Sequence, residues 1–284
     1  MARALERRVE PALVRRHSLL PARAPRGGAR AHFGGPGRGP ALTDASIEVW
    51  RIALQAAGSI EHGAALAQLD APERARAARF LSDEPRSRYV QCRAALRTLL
   101  GRALDADPRA LSFAEGPHGK PLLAGAHAGA LHFNVSHSGE LALVALARAA
   151  PVGIDIERWR PLEEIERLAE KVFSEKERER WLALTPDERQ REFYRHWTLK
   201  EAILKACGAG ITQSLAAIGA GDTPGTARGP LDAPELLRDA FGTPLRWSLL
   251  EIEAAPGYCA ALATQCPGRP VLAQRAFDWR ALSP

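Results

Sequence analysis

The sequence predicts an α+β fold built from two similar, pseudo-duplicated α/β halves. Each half is expected to be a small, mainly antiparallel sheet packed on a long helix, with the active site in the cleft between them. Three observations carry this expectation. Two long helical stretches, "EPRSRYVQCRAALRTLLGRAL" and "DERQREFYRHWTLKEAILKACG", stand one in each half of the 284 residues. Each is followed by strand, turn and strand, in "ALHFNVSHSGELALVALAR" and "LRWSLLEIEAAPGYCAALAT". Within these, "SGELALVALA" and "PGYCAALAT" occupy matching places. Repeated layers of this kind each bury one face, and a natural ligand site lies where they meet.

Order is expected to begin near Ile47, where "IEVWRIAL" alternates as a strand. "DAPERARAARFL" reads as a helix with Asp70 as N-cap and Pro72 in the first turn. In the first long helix, Tyr89, Cys92, Leu96, Leu99 and Leu100 form an apolar stripe. "GPHGKPLL" is a turn, and after the first strand pair comes "VGIDIE", residues 152–157. "EEIERLAEKVF" and "EKERERWLAL" are helices, and Gly208 is a suitable C-cap for the second long helix. The Gly- and Pro-rich stretch from Gly219 to Pro244 reads as a surface insertion. The expected division is residues 1–45 as a disordered basic extension, 46–150 as the first half and 151–284 as the second.

With 46% hydrophobic and 25% charged residues, the chain has enough apolar material for a real core. The formal charge of +6 is misleading as a nucleic-acid signal. Residues 1–40 hold nine arginines against two acids, a net of +7, which leaves −1 for the remainder. A near-neutral body weakens any nucleic-acid reading, and no nucleic acid is expected as partner. The Arg-rich tail has no apolar h-region, and no apolar run is long enough to span a bilayer. Cys92, Cys207, Cys259 and Cys266 lack CxxC or metal-ligand spacing. They read as reduced thiols, and a cytoplasmic location with no membrane partner is expected.

Four constellations carry chemistry. In "VGIDIE", Val152, Ile154 and Ile156 alternate with Gly153, Asp155 and Glu157, so two carboxylates share one strand face. Like charges that close repel. Either a cation sits between them or the face points to solvent. In "FYRHWTLKEAILKA", Trp197, Glu201 and Lys205 stand one above another on a helix. Glu201 and Lys205 are either an ordinary surface pair or functional, given the apolar run of Leu199, Ile203 and Leu204 beside them. In "HFNVSHSGE", Asn134, Ser136, His137 and Ser138 crowd one strand end. Ser136 and His137 face opposite ways, and no G-x-S-x-G elbow is present, which disfavours a serine hydrolase. A polar turn, or contacts to a phosphate or ring, remain. Last, "GPHGKP" places Lys120 on a stiff loop that is not a Walker A sequence.

In this order the stretches "GKP" (119–121), "FNVSHSG" (133–139), "GIDIE" (153–157), "FSEKE" (173–177) and "WTLKEAILK" (197–205), with "PGYCAALA" (256–263) in weaker support, resemble the 4′-phosphopantetheinyl transferases. The likeness is to the double-length type that activates peptide and polyketide synthetases. It spans about Leu69 to Cys266. The resemblance implies transfer of the 4′-phosphopantetheine arm from coenzyme A (CoA) to a serine of an apo acyl or peptidyl carrier protein, with release of 3′,5′-ADP and dependence on Mg²⁺. It implies Asp155, Glu157 and Glu201 as metal carboxylates, and Glu201 and Lys205 as catalytic. CoA contacts are implied for Arg74, Arg76, Arg88, Lys120, Pro121, Ser136, His137, Asp155, Lys200 and Lys205. For the serine proton, Glu201, a metal-held water and Glu177 all stand open. One chain supplying both halves implies a monomer. The alternative readings are a non-catalytic CoA- or carrier-binding module of the same fold, and a nucleic-acid binder driven by the tail.

Overall fold

The computed structural model describes residues 42–44, 46–56, 59–116, 119–208, 215–218, 231–232, 246–266 and 270–282. The basic extension and most of the Gly219–Pro244 stretch lie outside the described residues. The described chain is a mixed α/β structure with small sheets and helices. Strand β1 (Ser46–Ala53) opens it. Three helices follow: α1 (Ile60–Ala67), α2 (Ala71–Ala78) and the 22-residue α3 (Asp83–Leu104). A hairpin of β2 (Ser112–Glu115) and β3 (Pro121–Ala124) then leads to β4 (His132–Ser138) and β5 (Leu141–Ala147). After β6 (Val152–Arg158) come α4 (Ile165–Val172), α5 (Glu175–Leu182) and the 22-residue α6 (Pro186–Cys207). Strands β7 (Leu231–Asp232), β8 (Arg246–Glu251), β9 (Tyr258–Thr264) and β10 (Val271–Ala276) finish the chain.

Local chemistry starts and stops these helices where the sequence suggests. Asp70 and Glu73 close a reciprocal capping box at α2, with Asp70 Oδ1 accepting from the Glu73 N–H at 2.8 Å. At α6 the Glu188 carboxylate accepts from both the N–H and the hydroxyl of Thr185, at 3.0 and 2.7 Å. Gly208 ends the helix in the left-handed region at φ 67°. Two elements exceed the sequence reading. Helix α1 is capped by Ser59, which accepts from the His62 N–H. The "GPHGKPLL" turn is tightened by the Gly116 N–H donating to the Lys120 carbonyl and runs straight into β3.

The first sheet has the order β10-β1-β5-β4 and the second the order β6-β9-β8-β7. All pairings within them are antiparallel except β1 with β10, which is parallel. The strand that completes the first sheet therefore comes from the far end of the sequence. Phe277 and Trp279 behind it pack on the core beneath that sheet, and Trp279 Nε1 donates to the Ala53 carbonyl at 2.7 Å.

Strand alternation sorts the core into layers. Ala142, Val144 and Leu146 face α3, meeting Leu96, Leu99 and Leu100. Leu143, Ala145 and Ala147 face the other way and meet Val152, Ile154, Ile156 and Leu262 of the second sheet. Ala261, Ala263 and Leu249 face α6. The order is therefore helix, sheet, sheet, helix. A buried ion network braces the first half: Arg97, fully buried, donates to Glu73 and Asp70 and to the carbonyls of Pro108 and Leu111.

Candidate active site

β6 sits where this layering matters most. Its even residues, Val152, Ile154 and Ile156, have no exposed surface and fill the space between the sheets. Its odd residues, Gly153, Asp155 and Glu157, face α6. A Cβ on Gly153 would lie 2.1 Å from the Ala202 carbonyl oxygen and 2.3 Å from the Ala206 nitrogen. Absence of a side chain there lets helix backbone rest on strand backbone. The close approach carries Lys205 to Asp155.

Lys205 Nζ lies 2.5 Å from Asp155 Oδ1 and 2.9 Å from Ser136 Oγ, and Ser136 Oγ donates to the same Oδ1 at 2.8 Å. Ser138 Oγ donates to Glu157 Oε2 at 2.8 Å. The carboxylates feel one another. Burial, and next the charge of Asp155, push Glu157 up to about 7. Burial opposes the charge on Lys205, but Asp155, then Glu201, then Glu157 outweigh it and hold its pKa above the ordinary lysine value. Three acids thus gather their field on one ammonium.

This arrangement bears on a divalent cation. Asp155 Oδ2 is buried and has no hydrogen-bond partner. A buried carboxylate oxygen left so is costly unless something positive occupies its lone pairs. The donors available at this spot are oxygens, which suit a hard cation such as Mg²⁺. Asp155 and Glu157 therefore fit one. Among the described residues, no group of three or more His, Cys, Asp or Glu side chains stands ready-made as a metal cage. Here the Lys205 ammonium does the neutralising.

The remaining expected residues divide. Lys120 reaches across to the second half, where its Nζ donates to the carbonyls of Lys205, Ala206 and Val152 at 2.6, 3.2 and 3.3 Å. Burial lowers its pKa to about 8. Pro121 begins β3 beside it. His137 is exposed on the face of β4 opposite Ser136. The positive charges of Lys205 and Arg88 reach it. Arg88 also pairs with Glu84. Arg74 donates to the Leu69 carbonyl at 2.5 Å, and Arg76 lies 3.7 Å from Glu115, with its guanidinium 5.5 Å from the centre of the Tyr89 ring. These contacts keep both arginines within the first half.

Lys200 departs from expectation. It is fully buried, and its Nζ donates at 2.6 Å to both the Val172 carbonyl and Glu177 Oε2. A lysine held this way ties α5 and the end of α4 to α6 and does not face a ligand. Glu177 also caps α5, accepting from the Ser174 N–H at 2.8 Å. The sequence reading named Ser138 in the polar strand end but gave it no role. Its signal was the alternate spacing of Asn134, Ser136 and Ser138, the same period as 153, 155 and 157 on the neighbouring strand.

Comparison with known families decides what this geometry belongs to. Residues 151–263 match the family described as the 4′-phosphopantetheinyl transferase superfamily, and residues 58–149 match the N-terminal part of a 4′-phosphopantetheinyl transferase. The chain belongs to the 4′-phosphopantetheinyl transferase superfamily. The transferase HetI of a Nostoc species is 39% identical over 227 residues, which cover 79% of this chain and 90% of that protein. The putative transferase slr0495 of a Synechocystis species is 38% identical over 149 residues, 52% of this chain and 61% of that one. Sfp of Bacillus subtilis is 32% identical over 143 residues, 50% of this chain and 62% of that one. The transferase described here is thus of the Sfp type. The two matched regions adjoin between β5 and β6, at the seam where Ser136 meets Asp155.

Proposed function

We infer that this transferase moves the 4′-phosphopantetheine arm of CoA onto a serine hydroxyl of an apo carrier protein and releases 3′,5′-ADP. The single observation that supports the assignment to this site is the pair of neighbouring carboxylates on β6, one with a buried unpartnered oxygen, beside Lys205. In the reaction the serine oxygen forms a bond to the β-phosphorus of CoA, and the bond from that phosphorus to the bridging pyrophosphate oxygen breaks. The electron pair leaves with 3′,5′-ADP. Asp155 and Glu157, with Glu201 alongside, are the groups to hold Mg²⁺, which when bound neutralises pyrophosphate charge. Lys205, drawn upright by Asp155, presents an ammonium to developing phosphate charge. Glu177 is held by Lys200 and by the Ser174 N–H, which leaves Glu201 and a metal-held water as the candidates to take the serine proton. Arg88 and His137 lie together on the CoA side of this reading.

The same reading treats residues 46–150 and 151–284 as two halves related by duplication, except that β10 and the residues after it join the sheet and core of the first half. It is supported by the shared order of one strand, three helices and an antiparallel strand pair, interrupted in the first half by the β2–β3 hairpin, with β1-β5-β4 matching β6-β9-β8. It also makes the working unit a monomer and the partner a carrier protein with an acidic helix beside its serine.

Incubation with CoA, Mg²⁺ and an apo carrier protein should add one phosphopantetheine mass to the carrier. A folded preparation that leaves several carriers unmodified would count decisively against the assignment. The carboxylate pair makes a second prediction. Glu157 rises from its ordinary 4.5 to about 7 on folding, so the metal-free protein should lose stability as pH climbs through that window. Within it the folded state holds a proton that the unfolded chain has lost; above it two charges stand together. Mg²⁺ should therefore raise the melting temperature by several degrees at pH 8 and scarcely at pH 5.5. Equal shifts at both pH values would show that the cation binds elsewhere.

A further inference from the structure

Among the described residues, strand β6 pairs with β9 on one side only, and β4 runs along its other edge. Side chains of β4, at alternate positions, satisfy that edge. Asn134 Oδ1 accepts from the Ile154 N–H at 2.8 Å, and Ser138 Oγ accepts from the Arg158 N–H at 3.1 Å. Between them Ser136 meets Asp155 and Lys205. This side-chain ladder does what backbone pairing does elsewhere.

Ser138 holds a position that fixes its hydroxyl. A serine hydroxyl has one hydrogen. The Arg158 N–H can only donate, so the Ser138 oxygen is the acceptor in that contact. The Glu157 carboxylate, 2.8 Å away, accepts. The single hydrogen is therefore directed at Glu157 Oε2 and is not shared with any backbone carbonyl. Glu157 has three rotatable side-chain bonds and lies near the end of β6, half-buried. Ordering such a side chain costs entropy that a fixed partner supplies in advance.

We propose that Ser138 is the positioning residue for Glu157 in divalent-cation binding, one arm of β4 setting the carboxylate plane of β6 before the ion arrives. The proposal rests on the reading that Asp155 and Glu157 take the cation. It adds that the first half of the chain, which contributes no carboxylate of its own here, sets the affinity. Hydrogen-bonding partners of metal-ligating groups commonly carry about 10–100-fold in affinity.

The test is Mn²⁺ binding to the full chain, followed by the loss of the free-ion electron paramagnetic resonance signal. Ser138→Ala should weaken binding about tenfold. Ser138→Thr, which keeps the hydroxyl, should stay within about threefold of wild type. Ser138→Cys, of similar shape but a poor donor, should fall in between and serves if the alanine variant folds badly. Metal-free melting temperatures should stay within a few degrees throughout. Unchanged Mn²⁺ affinity in Ser138→Ala, with normal binding by wild type, would overturn this proposal alone. Equal weakening by Ala and Thr would also overturn it, since packing and not the hydroxyl would then be responsible. Failure of wild type to bind Mn²⁺ would overturn the cation reading itself and this proposal with it.

Discussion

Asp155→Asn is expected to lower the rate of phosphopantetheine transfer by about 10²–10³-fold while leaving the protein folded. The size follows from how much converges on this one carboxylate. Oδ1 receives Lys205 and Ser136, and Oδ2 is buried without a partner. The amide keeps the shape and one acceptor but removes the charge that would hold a cation. Breaking a buried ion pair commonly costs about 3–5 kcal/mol, because the surviving charge is stranded. Here it is not stranded, since Glu201 and Glu157 also act on Lys205. Relief of the Asp155–Glu157 repulsion works in the same direction. Stability should therefore change far less than activity. Intact-mass analysis of the carrier gives the rate, and thermal unfolding gives the stability. A variant within tenfold of wild-type rate would remove Asp155 from the chemistry.

Gly153→Ala should have the largest effect on stability, with a loss of more than about 3 kcal/mol or outright insolubility. Overpacking a core commonly costs about 1–3 kcal/mol, because neighbouring side chains can turn aside. At Gly153 the obstacles are the Ala202 oxygen and the nitrogen and Cα of Ala206, all backbone of α6. No rotamer change relieves them. α6 would have to lift from β6 and take Glu201 and Lys205 away from Asp155. Urea unfolding of the purified variant measures the cost. A midpoint indistinguishable from wild type would mean that α6 does not lie against β6 in this way.

Much of this site is readable from local pattern. The alternation in "VGIDIE" separates an apolar face from an acidic one, and the i, i+4 spacing puts Glu201 and Lys205 on one side of a helix. Both follow from backbone periodicity, so they hold before any tertiary contact is known. The fate of Lys200 does not. It neighbours Glu201 in sequence, and only the packing of α5 decides that it turns inward to Glu177, 23 positions away. Lys120 is similar: its loop is legible, whereas its landing on the carbonyls at the end of α6 depends on how the halves dock. Ser138 was visible as one of several polar residues, but its role needs the strand beside it. The parallel pairing of β10 with β1 joins segments more than two hundred residues apart, and nothing in "VLAQRA" announces a partner so distant.

That last pairing governs how the molecule comes into being. On the ribosome, β1 emerges more than two hundred residues ahead of β10, so the first sheet waits with one edge bare while the second half is synthesised. Contacts of such long sequence separation form slowly, and an uncovered edge invites mispairing in the interval. Cutting the gene at the junction of the two matched regions would yield a leading fragment that never receives its outer strand. Assembly of the first sheet thus waits on β10, and removal of that strand should disable a half that had seemed complete.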